Sequence, residues 1–279
     1  MKPMRSMRER VSEAEWDLRV NLAACYRLVA KYGMTDLIYN HITARVPGPQ
    51  HHILISAYGM LYEEVTASSL IKVDLAGNII EKPDHGYSVN AAGYIIHSAV
   101  HEAREDAHCV IHTHTSAGIS VSALEEGLLP LSQTAMRFHG HVAYHEYEGP
   151  AFNRGEKGRL VEHLGVHNAM ILRNHGLLAC GPSIPQAFNL IYWLEQACRI
   201  QVQLLACQRP VHRAKPEVVE RTAEALSGVE ITLDNEAATN PAFNPAVKQD
   251  AQKAGSGYGL LEWPTLLRSL DRIDASYRD

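Results

Sequence analysis

The stretch "CVIHTHTSAG", residues 109–118, sets two histidines one residue apart inside an apolar run. In a β-strand successive side chains alternate faces, so His112 and His114 stand side by side on one face. Two neutral imidazoles placed that way can grip one metal ion, whereas two protonated ones would repel. The apolar residues around them predict a strand over 109–115, with a helix from Ser116 to about Gly127. That pairing of a buried strand with a polar double imidazole organises the reading of the rest of the chain.

Working outward, "NAAGYIIHSAVHEARED" (90–106) reads as a helix feeding the strand, and a second helix spans about 12–32. There Ser12 and Glu15 have capping-box spacing and Gly33 supplies the stop. The segments "HITARV" (41–46) and "HHILIS" (51–56) flank "PGPQ" as a hairpin, with His51 and His52 in its turn and without a role. "LIKVDLAGNIIE" (70–81) is another hairpin, turning at Ala76–Gly77–Asn78. Downstream, "HVAYHEY" (141–147) and "AMILRNHG" (169–176) read as strands around a short helix near 156–165. A long helix then begins near Ser183, which with Gln186 forms a second capping box, and runs to about Gln208. Strands and helices are mixed without strict βα alternation. The expected fold is α/β, with a largely antiparallel central sheet between helical layers. Two segments follow: a main domain over 12–208, and a C-terminal helical arm and tail over 209–279.

Composition bounds the function. The 279 residues are 46% hydrophobic and 20% charged, enough for a sizeable core. With 26 basic against 31 acidic residues, net −5, the charge points to neither nucleic acid nor a membrane surface as partner. The basic start "MKPMRSMRERV" has no apolar segment after it, and no apolar run is long enough to span a bilayer. Five cysteines at 25, 109, 180, 198 and 207 lack CxxC spacing and read as reduced thiols of a cytoplasmic protein.

A metal held by imidazole usually needs a third protein ligand. His175 in "ILRNHGLL" is the best candidate, because an apolar strand turns polar there and Gly176 permits close backbone approach. Sixteen histidines in the chain lower the weight of any single one. His139 and His141 in "RFHGHVAYHEYEG" share the i, i+2 relation of the first pair, and His97 would sit on the helix before the metal strand. These three are the candidates for proton transfer. His101 and His108 read as helix-surface residues, and Tyr144 and Tyr147 as packing.

"VIHTHT", "ILRNHGLL" with its following helix, and "SAYGMLYEEVTASSLIKVDLAGNIIE" together resemble the class II aldolase and adducin family, from about Trp16 to Gln208. The resemblance implies a sheet sandwiched by helices, and one zinc or other divalent ion on His112, His114 and His175. It also implies a homotetramer and a metal-dependent carbon–carbon lyase that works through an enolate-like intermediate. In the family's sugar-phosphate aldolases a Ser-Ser-Glu stretch binds phosphate and supplies the acid/base. It falls here on Ala91, Ala92 and Gly93, so both hydroxyls and the carboxylate are missing. Other substrate-loop positions map to Asn40, Thr43, Tyr58 and Gly59. The expected substrate is therefore small, oxygenated and not phosphorylated, cleaved by an aldol or a decarboxylating reaction. The family also contains a dehydratase, which leaves carbon–oxygen cleavage open. "VNAAGYIIHSAVHEAR" is worded more like the adducin branch. The alternative is thus a non-catalytic scaffold with a structural or vestigial metal site, whose link to actin or the cytoskeleton rests on family analogy.

The tail supplies one more expectation. Leu266, Leu270 and Ile273 have helical spacing, with Arg268, Asp271, Arg272 and Asp274 on the other face. Such a segment must dock, either near a subunit interface or on its own domain.

Overall fold

The computed structural model describes residues 6–149, 155–226 and 258–279. A short turn of helix, α1 (Met7–Arg10), leads into α2 (Glu13–Lys31). The Ser12 side chain accepts the Glu15 amide at 3.2 Å, as the spacing predicts. Glu15 does not close the capping box. Its carboxylate turns inward and takes the buried Arg19 at 3.0 Å and Lys72 at 2.8 Å. A charge-assisted pair to a buried guanidinium outweighs a second cap hydrogen bond.

Eight strands form one sheet: β1 (His41–Arg45), β2 (Ile53–Ile55), β3 (Ile71–Val73), β4 (Ile79–Glu81), β5 (Cys109–Thr113), β6 (Val142–His145), β7 (Ala169–Leu172) and β8 (Gly176–Gly181). Their order is β4-β3-β2-β1-β5-β8-β7-β6. Every neighbouring pair is antiparallel except β6 with β7. Both expected hairpins are present. The predicted strand 141–147 is shorter, so His141 and Tyr147 fall in its flanking loops.

Period-2 alternation sorts β5 between two cores. Cys109 and Ile111 join a large apolar cluster with residues of α2, of α4 (Ser116–Ser122) and of α7 (Ile184–Ala206). Val110 faces the other way, toward residues of α3 (Ala91–Ala103) and α6 (Glu156–Leu164). The result is the three-layer α/β/α sandwich. α4 stops five residues short of the expected Gly127, which instead takes a positive φ of 63° against the Tyr144 phenol. Tyr144 accepts the Leu128 amide at 3.0 Å, so this turn is closed by a side chain that no helical periodicity encodes.

Beyond α7 and two short elements, α5 (Gln133–Met136) and α8 (Pro216–Leu226), the described tail forms α9 (Trp263–Asp271). It docks on its own chain. Trp263 and Leu270 enter the large core cluster with the fully buried Tyr277, and Trp263 donates its indole N–H to Asn21 on α2 at 2.7 Å. Of the five cysteines, all free, four are buried (Cys25, Cys109, Cys180, Cys198) and Cys207 is exposed. No described helix is long and apolar enough to cross a membrane.

A candidate metal centre

Strand direction brings the histidines together. His112 is the penultimate residue of β5, His114 follows the strand's last residue, and β8 runs antiparallel beside β5 with Thr113 opposite Leu177. The tight β7–β8 turn therefore delivers His175 to the same end of the sheet. Asn174 adopts a left-handed φ of 56° in that turn, a conformation asparagine tolerates. Gly176 is required for a different reason. A Cβ there would lie 2.3 Å from the Thr113 carbonyl oxygen and 3.4 Å from the His114 ring. The close approach read from the sequence is thus the contact that seats the third imidazole against the other two.

The ligand atoms of His112, His114 and His175 all lie within 4.8 Å of one another, and no other such group occurs among the described residues. His112 Nε2 is 2.7 Å from His114 Nε2 and 3.4 Å from His175 Nε2. The other nitrogens of His112 and His114 are tied down. His112 Nδ1 donates to the Leu177 carbonyl at 2.9 Å, and His114 Nδ1 lies 3.2 Å from the Asp36 carboxylate. A carbonyl or carboxylate only accepts, so each Nδ1 carries a proton, and in the neutral imidazole it is then Nε2 that presents its lone pair to the centre. Two lone pairs facing at 2.7 Å suit a cation between them. A tetrahedral zinc spaces its nitrogen ligands roughly 3.3 Å apart, so loading asks for an opening of about half an ångström at His114. Burial, together with the repulsion that protonation would meet from the adjacent His114 imidazole, pushes His175 down to about 4, and burial holds His112 well below the usual histidine range. His112 and His175 are therefore neutral near pH 7, the form in which an imidazole binds metal.

Asp36 is a site residue that sequence reasoning passed over. It lies in a loop between α2 and β1 with no motif around it, and only the fold carries it to His114. Asn40, an expected substrate-loop residue, is buried and braces this loop. Its side-chain oxygen accepts the Asp36 amide, and its Nδ2 reaches the His112 carbonyl at 3.5 Å.

Other expected residues are placed differently. Thr43 does not line the site: it is fully buried under α3, its hydroxyl 2.8 Å from both His97 Nδ1 and His101 Nε2. His101 is therefore interior and not on the helix surface. It donates Nδ1–H to the Ala107 carbonyl at 3.0 Å, so its Nε2 accepts from Thr43. Thr43 in turn accepts from His97 Nδ1–H, and His97 Nε2 is left as a bare acceptor, buried and without a hydrogen-bond partner. His97 thus sits on the sheet face shared by His112, closed off from solvent. His139 and His141 are at the opposite end of the sheet, in the turn that enters β6, and the strand parity expected of them does not apply. Tyr58 and Gly59 leave β2 at the site's end of the sheet, with Tyr58 exposed and 6.5 Å from Tyr39 between ring centroids. Tyr147 is exposed, not packed in the core, and its ring lies 6.2 Å from that of His175. Ala91, Ala92 and Gly93 form the first turn of α3.

Comparison with known proteins agrees with this geometry. Residues 20–202 match the family described as the Class II Aldolase and Adducin N-terminal domain. A solved aldolase II superfamily protein from Pseudomonas syringae is 44% identical with a TM-score of 0.83, the match covering 99% of this chain and 100% of that one. L-fuculose 1-phosphate aldolase from Glaciozyma antarctica PI12 is 28% identical with a TM-score of 0.69, over 92% of this chain and 96% of that one. Alpha-adducin from Rattus norvegicus is 50% identical over 190 residues, which are 68% of this chain and 26% of adducin's. With an eight-stranded, mostly antiparallel sheet between helices and a match over most of its length, the chain belongs to the class II aldolase and adducin family.

Proposed function

We propose that this protein is a zinc-type, metal-dependent lyase that breaks a carbon–carbon bond in a small, non-phosphorylated, oxygenated substrate. The observation that carries the reading is the convergence of three imidazole Nε2 atoms, two of them fixed by hydrogen bonds at Nδ1. A divalent cation held there supplies Lewis acidity toward a substrate carbonyl or carboxylate. The chain's own residues hold that chemistry in place: Leu177 and Asp36 orient the imidazoles, and burial keeps His112 and His175 neutral. Ala91, Ala92 and Gly93 offer neither hydroxyl nor carboxylate side chains, which argues against a sugar phosphate. In this reading the protein is cytoplasmic and homotetrameric.

Metal analysis of the purified protein, followed by a screen of hydroxy-acids, keto-acids and hydroxy-aromatic acids, tests it. About one equivalent of zinc or another divalent metal is expected, lost in His112→Ala. Stoichiometric metal in that variant would sink the assignment. A second reading, a scaffold module with a structural or vestigial metal site, is favoured by one specific observation: the 50% identity to alpha-adducin. An exchangeable water on the bound metal separates the two, since catalytic sites keep an open position and structural ones are closed.

A further inference from the structure

The loop bearing Asp36 and the residue after His114 are both held by one pair of side chains on α7. Glu195 is 1% exposed, and one of its carboxylate oxygens accepts the Thr115 hydroxyl. Thr115 directly follows His114 and caps α4 by accepting the Gly118 amide at 3.1 Å. The other Glu195 oxygen accepts Arg199 Nε at 2.5 Å. Arg199 Nη2 then donates to the Gly33 carbonyl at 3.0 Å and the Tyr32 carbonyl at 3.3 Å, at the end of α2. Three residues on from Gly33 stands Asp36, 3.2 Å from His114 Nδ1. One continuous chain therefore runs from the backbone before Asp36, through Arg199 and Glu195, to the backbone after His114.

From this we infer that Glu195 and Arg199 are positioning residues for the metal centre, bracketing the His114–Asp36 pair so that His114 Nε2 stays aimed at the other two imidazoles. Neither touches the centre. The inference rests on the metal reading above. Its physical content is that groups behind a metal ligand set the ligand's orientation, and losing such a group typically costs 10–100-fold in metal affinity. The geometry makes one asymmetric demand. Of the two ligands anchored through Nδ1, His112 is held by a backbone carbonyl within the sheet, whereas His114 depends on a loop carboxylate and so on whatever braces that loop.

The test measures zinc affinity by chelator competition, and the visible spectrum of the cobalt-loaded protein, for wild type, Glu195→Gln, Thr115→Val and Thr115→Ser. Glu195→Gln keeps the volume and one acceptor oxygen but removes the charge that holds Arg199. Glu195→Gln and Thr115→Val are expected to weaken zinc binding roughly tenfold and to shift the cobalt bands, while Thr115→Ser, which keeps the hydroxyl, stays near wild type. The melting temperature of each zinc-free protein is recorded alongside. Zinc affinity within twofold of wild type and an unchanged cobalt spectrum in both Glu195→Gln and Thr115→Val would overturn the inference, even if stability fell. A wild-type protein that binds no zinc would overturn it together with the metal reading, which distinguishes the two failures.

Discussion

At the scale of single residues, the buried histidines predict an acid-sensitive fold. In the native state burial holds His41 and His175 at about 4 and His101 at about 3, and keeps His97 and His112 well below the usual histidine value. Unfolded, each titrates near 6.5. Between those values the unfolded chain binds more protons than the native one, so their contribution is complete above about pH 6.5 and is lost as the pH falls toward 4. Each such histidine adds a slope of about 1.4 kcal/mol per pH unit in that window. Urea denaturation of the metal-free protein from pH 7.5 to 4.5 should show a steep loss; a flat profile would mean that these imidazoles are not buried neutral. Gly176→Ala is a second case. Its methyl would meet the Thr113 carbonyl at 2.3 Å, so the β5–β8 contact must open, at a cost of about 1–3 kcal/mol. Reduced zinc retention should accompany the lower melting temperature. The residues at this end of the sheet also show what was legible beforehand. His112, His114, His175 and Gly176 announce themselves through strand parity and the polar end of an apolar run. Asp36 and Thr43 do not, because whether a lone polar residue near β1 faces a site or the interior depends on which strand pairs with it and which helix covers it.

At the scale of elements, helix and strand periodicity located α2, α3, β5, β7 and α7, and the N-caps of α2 and α7 fell on Ser12 and Ser183, where the serine spacing placed them. The errors cluster at ends where tertiary contacts override local signals: α4 yields its last turn to the Tyr144–Leu128 contact, and β6 gives up both flanks to loops. The tail is the informative case. Amphipathic spacing implied that it docks, but spacing carries no address. Its place against α2 and α7 is set by Trp263 against Phe188 of α7 and Asn21 of α2, and by pairs such as Arg27 with Asp274 at 3.1 Å. Trp263→Ala should therefore destabilise the protein by about 3–5 kcal/mol in chemical denaturation, the range for emptying a large buried aromatic site. A loss below 1 kcal/mol would show that α9 is only loosely attached.

At the scale of the whole molecule, the sandwich and its antiparallel bias followed from mixed hairpins and helices. The strand order did not, since sequence pattern alone does not say that β1 pairs with β5 or that β6 alone runs parallel to its neighbour. The missing carboxylate on the first turn of α3 makes a prediction at this scale. Fuculose 1-phosphate should not be cleaved at a useful rate, measured by coupled release of dihydroxyacetone phosphate. Robust turnover abolished by His175→Ala would show that another group supplies the proton. The four enclosed cysteines have a practical consequence. Burial raises their thiols, Cys180 to about 11 and Cys25 further, so at neutral pH they are protonated as well as inaccessible. A thiol-reactive dye should thus label Cys207 at once and the other four only as the layers part. The staggered labelling acts as an internal clock for opening of the sandwich, and its rate with and without zinc would report how far three imidazoles at one end of the sheet hold both helical layers shut.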